Sequence, residues 1–262
     1  MIDKIKSTLR KHLIKTKIVD SFEINNVTYR VVDRKSILPS YKNRRDLLLK
    51  TDSSSRIYSH SAVYTDTKNI FQPVFIIPQK LSELWSERNN INTALVLGCA
   101  GCTFPRFVSL RFPECKTVGV EYEKKFIDIA WKYFWIKEFD EKFTLLHGDA
   151  FEYVKDTDGE KYDVIYIDIF SENSIPQEVM SNEFLNDINN CSKDNSITII
   201  NLLEEKTENV ISFAKTLPDD FNEKYVLNYD VHCFLIAVKS TSDNGKADFI
   251  KSLRDIGRIT II

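Results

Sequence analysis

The chain has 262 residues, 43% of them apolar and 28% charged. That mixture excludes collagen-like, coiled-coil and wholly disordered classes, and a chain of this length can bury a substantial core. Lys and Arg number 36 against 38 Asp and Glu, a net charge of -2, so no global charge marks a nucleic-acid binder.

The N-terminus is charged and lacks the apolar centre of a signal peptide. No run approaches the roughly 18 apolar residues of a membrane span. Five cysteines, Cys99, Cys102, Cys115, Cys191 and Cys233, are an odd number for a disulfide framework and point to a reducing, cytoplasmic setting. Residues 1–17 read as a short basic helix with Ile5, Leu9 and Leu13 on one side. Val27, Tyr29 and Val31 alternate with polar residues, as in a half-buried strand. Asp46–Lys50 and Arg56–Tyr64 also read as strands, with a turn at Asp52–Ser55, so residues 18–66 form a small antiparallel unit. Gln72–Arg88 is helical, its start limited by Pro73 and Pro78.

From Thr93 strands and helices alternate. Strands are expected at 93–98, 116–122, 142–147, 162–170 and 196–203. Helices are expected at 103–111, 124–137, from Ala150, at 182–191 and at 207–216. Residues 225–239 suit an antiparallel pair, and 247–256 a final helix. This order predicts an α/β fold: a Rossmann-like, doubly wound, mainly parallel sheet with a small N-terminal antiparallel β-unit. The expected organisation is an N-terminal segment over 1–70 and the Rossmann-like domain over 71–262.

The sharpest feature is the run Ala94-Leu95-Val96-Leu97-Gly98-Cys99-Ala100-Gly101-Cys102-Thr103. An apolar strand enters a turn of very small residues and then a helix, so a ligand can approach the backbone closely. At the end of a first parallel strand, this is where doubly wound folds bind nucleotides. The second strand ends in Glu121, followed by Tyr122, and a carboxylate there can accept ribose hydroxyls. Asp149-Ala150 follows strand three, where Asp149 suits an exocyclic amine or a helix N-cap. Asp168 ends strand four at the same edge of the sheet. Three acids ending three successive strands converge on one crevice.

The stretches GCAGCTFPR (98–106), VEYEKKFIDIAWKYF (120–134), HGDAFEYV (147–154) and YDVIYIDIFSENSIPQEVMSNEFL (162–185) resemble spermidine-synthase-like proteins, within the class I S-adenosylmethionine-dependent transferases. The resemblance implies a domain that binds S-adenosylmethionine, its decarboxylated form or the thioether product. It places Gly98, Cys99, Ala100 and Gly101 along the cofactor's backbone-facing side and Glu121 with Tyr122 at the ribose. Asp149 and Ala150 fall at the adenine, and Asp168 at the strand-four edge. His60 matches a family glutamine near the amino-acid end of the cofactor. A homodimer is implied as well, since family members often form one.

Two positions depart from the aminopropyltransferase pattern. Gly101 stands where those enzymes carry an acid that helps hold the cofactor's amine end. Ser171 replaces the second acid of a strand-four Asp-x-x-Asp, and its hydroxyl has no useful basicity near pH 7; Glu172 is a substitute one residue out of phase. The sequence therefore favours a methyltransferase acting on a small-molecule or peptide acceptor, with catalytic residues unassigned. The alternatives are a divergent polyamine aminopropyl- or aminocarboxypropyl-transferase and a non-catalytic nucleoside-binding scaffold. A nicotinamide-dependent oxidoreductase fits less well, because the third glycine of that fingerprint is missing.

Other constellations read as structural. Cys99 and Cys102 are small residues filling the turn. The four histidines lack metal-ligand spacing, and no metal is expected. Trp131, Tyr133, Phe134 and Trp135 suit core packing plus a partner surface. Arg30, Arg34, Lys35, Lys42, Arg44 and Arg45 read as a solvated charged face.

Overall fold

The computed structural model describes residues 14–36, 43–50, 57–65, 76–87, 89–139, 141–157, 159–171, 174–203, 205–230, 232–242 and 245–262. The expected domain boundary at residue 70, the apolar stripe of Ile5, Leu9 and Leu13, the Asp52–Ser55 turn, Lys42 and Glu172 lie outside them.

Four antiparallel strands come first: β1 (Ile14–Ile24), β2 (Val27–Ser36), β3 (Arg44–Lys50) and β4 (Ile57–Tyr64), in the order β1-β2-β3-β4. Residues 14–17, expected in a helix, belong to β1. They extend the β1–β2 hairpin, with Ile14 opposite Ser36 and Lys17 opposite Asp33. Cross-strand pairing here overrides a local helical pattern. Asn25 and Asn26 make the tight turn with φ of 50° and 65°, a left-handed conformation that asparagine tolerates better than most residues.

Among the described residues the second sheet has eight strands, in the order β12-β10-β11-β9-β8-β5-β6-β7. Its parallel part comprises β5 (Thr93–Leu97), β6 (Lys116–Glu121), β7 (Phe143–His147), β8 (Tyr162–Ile167) and β9 (Ser192–Asn201). The strands β10 (Glu223–Tyr229), β11 (His232–Lys239) and β12 (Arg258–Ile261) extend it antiparallel. The fold is thus the expected mainly parallel α/β sheet beside a separate antiparallel one. β12 is an addition that the sequence pattern did not announce. The chain order reverses between β6 and β8, on either side of β5, which makes the carboxyl end of β5 the topological switch point.

The helices are α1 (Ile76–Ser86), α2 (Thr103–Arg111), α3 (Lys124–Tyr133), α4 (Ala150–Lys155), α5 (Asn182–Cys191), α6 (Thr207–Ala214) and α7 (Lys246–Ile256). α3 stops short of Lys137 because Trp135 turns left-handed, at φ 54°. β5 shows how both faces of the large sheet are filled. Ala94 and Val96 enter one core with Leu81, Trp85, Phe104 and Phe107. Leu95 and Leu97 enter another with Ile165, Leu185 and Ile188. This burial on both faces is what a continuous apolar strand signals.

The antiparallel sheet packs on α3 through Tyr29, Val31, Leu47, Leu49 and Val63 against Phe126, Ile129 and Phe134. Arg45 clamps the contact. Its guanidinium donates to both oxygens of Asp33 at 2.6 and 2.9 Å and to the Tyr133 carbonyl at 3.1 Å, and lies 4.9 Å from the Trp135 ring centre. Arg34 and Arg44 both reach the buried Asp46. Much of the basic cluster is therefore paired within the fold.

Candidate active site

The turn after β5 is built around a close approach. Gly98 sits at φ +83°, and a Cβ there would lie 2.3 Å from the Asp168 carbonyl oxygen. Only glycine fits both constraints. Ala100 and Cys102 are also left-handed, at φ 42° and 58°. This geometry turns successive amides toward acceptors. Cys99 N and Ala100 N donate to Glu121 Oε2 at 2.9 and 2.7 Å, and Glu123 N donates to Oε1 at 2.9 Å. Glu121 is buried, and burial pushes its carboxyl up from the ordinary range while the three amides oppose that rise. A carboxylate offers about four lone-pair directions. Three are taken, leaving one on Oε1.

Gly101 serves differently. Its N–H donates to Ser61 Oγ at 2.7 Å, and a Cβ there would meet Ser61 Cβ at 2.7 Å and the Phe134 ring at 3.1 Å. Thr103 Oγ1 accepts from Ala62 N at 3.1 Å and donates to its carbonyl at 3.2 Å. Position 101 is thus a docking point for β4, with no room for an acidic side chain. The contact also fixes His60, whose ring meets those of Tyr29 and Phe126 at centre distances of 5.6 and 6.2 Å. Burial holds the His60 imidazole down to about 4, so it is neutral at pH 7.

Asp149 caps α4, its Oδ1 accepting from Phe151 N at 2.7 Å. Asp168 follows β8, and its own N–H donates to the Leu97 carbonyl at 2.8 Å. Burial raises the Asp168 carboxyl to about 6; the Asn201 amide and the Tyr166 hydroxyl pull it down, and the nearby Glu121 pushes it up. Asn201 Nδ2 donates to Asp168 Oδ1 at 2.8 Å.

These groups border one cavity of about 800 Å³ at the switch point. Gly98, Cys99, Ala100, Glu121, Tyr122, Asp149, Ala150 and Asp168 all line it; Gly101 does not. Tyr122 stands at the rim, 68% exposed. Sequence reasoning missed Glu123, Tyr166, Asn201 and the hairpin residues Tyr229, Asp230 and His232, all of which also line the cavity. Asn201 gave one signal: a polar residue closing an apolar strand at the edge where the three acids end. Among the described residues the lining carries five carboxylates, Glu121, Glu123, Asp149, Asp168 and Asp230, and no lysine or arginine.

The cysteines are buried and unpaired. Cys99 packs on β6, where a Cβ on Gly119 would lie 2.7 Å from its sulfur, and burial and the adjacent Cys102 push its thiol up. Among the described residues no group of three or more His, Cys, Asp or Glu could hold a metal ion.

The family model for the spermine/spermidine synthase domain matches residues 85–227, more than half of the chain. The chain belongs to the spermine/spermidine synthase family. Two curated relatives agree. A probable polyamine aminopropyl transferase of Bifidobacterium longum is 29% identical over 114 residues, which are 44% of this chain and 25% of the relative. A polyamine aminopropyltransferase of Vibrio vulnificus is 30% identical over 110 residues, 41% of this chain and 36% of the relative. The matched stretches thus span about a quarter to a third of those relatives' lengths. A solved probable spermidine synthase from Corynebacterium glutamicum shares the fold at a TM-score of 0.70, with 13% identity over 90% of this chain and 87% of that one. Family membership thus favours the aminopropyltransferase alternative over the methyltransferase that Gly101 and Ser171 suggest.

Proposed function

We propose that the chain is an aminopropyltransferase that uses decarboxylated S-adenosylmethionine and an amine acceptor. Charge carries this reading. A cavity lined, among the described residues, by five carboxylates and no lysine or arginine suits a donor with a sulfonium, an ammonium and no carboxylate. An anionic group buried among these carboxylates would face like charges, which is costly. The same field favours a cationic amine acceptor.

The residues present fit such a donor. The small turn at Gly98 and Ala100 leaves backbone accessible, and Glu121 keeps one acceptor direction for a ribose hydroxyl. Asp149 and Ala150 border the adenine. When bound, the donor supplies an electrophilic carbon: the amine forms the new C–N bond as the C–S bond breaks and its electron pair goes to sulfur, leaving a neutral thioether. The site's part is alignment and proton removal. Asp168 takes the proton lost by the acceptor nitrogen, and a carboxyl raised to about 6 is better matched to that work near neutral pH than an ordinary aspartate.

Gly101 and Ser171 favour a second reading, methyl transfer from S-adenosylmethionine. Incubating the protein with each donor and a diamine, followed by mass spectrometry, separates the two. Aminopropylated amine with methylthioadenosine is the expected outcome; a methylated acceptor with the homocysteine thioether would reverse the assignment.

A further inference from the structure

Asn201 closes β9 and is buried at the cavity wall, 8% exposed. Its Nδ2 donates to Asp168 Oδ1 at 2.8 Å. Its Oδ1 accepts from Leu203 N at 3.1 Å. A backbone N–H can only donate, so this contact fixes which end of the amide faces Asp168. His232 Nδ1, on β11, lies 3.4 Å from the same Oδ1, and its ring stacks on Phe234 at 5.7 Å between centres. The amide is therefore anchored to the loop after β9 and to the antiparallel hairpin, and presents a fixed donor to the carboxylate.

Among the described residues the other titratable groups facing Asp168 are Tyr166 from β8, Glu121 from β6 and Cys99 from the turn. Tyr166 supports the ionised form; Glu121 opposes it by like charge. Burial also opposes it, so the donors on Asp168 determine whether it can serve as a base.

We propose that Asn201 is the positioning residue of the site, holding the Asp168 carboxylate in one orientation and in the form that accepts the proton from the attacking amine. This rests on the reading of Asp168 as the proton acceptor. It lets β9 and β11, which contribute none of the three acids, control the reacting edge.

The test is carbon-13 NMR titration of the Asp168 carboxyl in the unliganded full chain, wild type against Asn201→Leu. Leucine keeps the bulk of the side chain and removes both amide groups. The Asp168 midpoint should rise by roughly one pH unit. The acid limb of kcat/KM should move to higher pH by a similar amount. An unmoved midpoint in a variant that still binds donor overturns the proposal. Asn201→Ser, too short to reach Asp168, gives the same reading should the leucine variant fail to fold. The titration is independent of turnover. Absence of aminopropyl transfer by the wild-type chain therefore counts against the proposed reaction, while the NMR midpoint alone decides the role of Asn201.

Discussion

Gly98 and Asp168 show two kinds of residue-scale constraint. At Gly98 the backbone is left-handed and a Cβ would strike the Asp168 carbonyl. Gly98→Ala should lower stability by about 2–4 kcal/mol, measured by urea unfolding, and should displace Asp168 as well. At Asp168 the proposed role and stability oppose each other. The folded carboxyl titrates at about 6 against an ordinary 3.8. Between those values the folded chain binds more protons than the unfolded one, so stability falls as pH rises through that window. Asp168→Asn should abolish transfer yet raise stability at pH 8 by about 1–2 kcal/mol, allowing for screening in an open cavity. Thermal melts at pH 5 and 8 check this: the wild type should lose stability between them by more than the variant does. In the wild type, kcat/KM should rise with pH through about 6 as Asp168 ionises. Glu121→Ala removes the acceptor of three amides and should cost at least about tenfold in donor affinity, since each hydrogen bond to a charged group contributes about 1.5–3 kcal/mol. The three acids were legible because each ends a parallel strand, and such ends share one edge. Asn201 and His232 were not. Asn201 meets Asp168 because β9 runs parallel beside β8, and His232 meets Asn201 because β11 returns antiparallel beside β9, pairings that no local spacing reveals.

At the scale of elements, the antiparallel sheet belongs to the site as much as the Rossmann-like strands do. β4 docks Ser61 on Gly101 and Ala62 on Thr103, and so places His60 at the cavity wall. Arg45 secures the sheet to α3. Arg45→Ala removes a partly buried ion pair, a carbonyl contact and ring packing together. It should destabilise the chain by about 1–3 kcal/mol, measured by denaturant unfolding, and weaken donor binding through displacement of β4. Periodicity exposed the alternating strands and helices from Thr93 onward because each element there buries an apolar face. It failed at β1, where residues 14–17 join a strand through pairing with β2 rather than through their own pattern. It also missed β12, only four residues long at Arg258–Ile261 and too short to show a period. The replaced acid at position 101 looked like a gap in the donor site. In the fold, Ser61 and Phe134 fill that space, and the position holds two sheets together.

For the molecule as a whole, net charge gave little guidance: -2 over 262 residues is nearly balanced. The balance is not uniform. Arg34, Arg44 and Arg45 are engaged by Asp46 and Asp33 in the antiparallel sheet, while the cavity gathers carboxylates without a lysine or arginine among the described residues. That segregation is the physical basis for choosing a dicationic donor over one bearing a carboxylate. No helix among the described residues is long and apolar enough to cross a membrane. The most direct measurement is calorimetric titration of the full chain at pH 7.5 with decarboxylated S-adenosylmethionine and, separately, with S-adenosylmethionine. The decarboxylated donor should bind at least about tenfold more tightly, the difference expected from one unpaired buried carboxylate. Equal or tighter binding of S-adenosylmethionine would contradict the charge argument on which the proposed reaction stands.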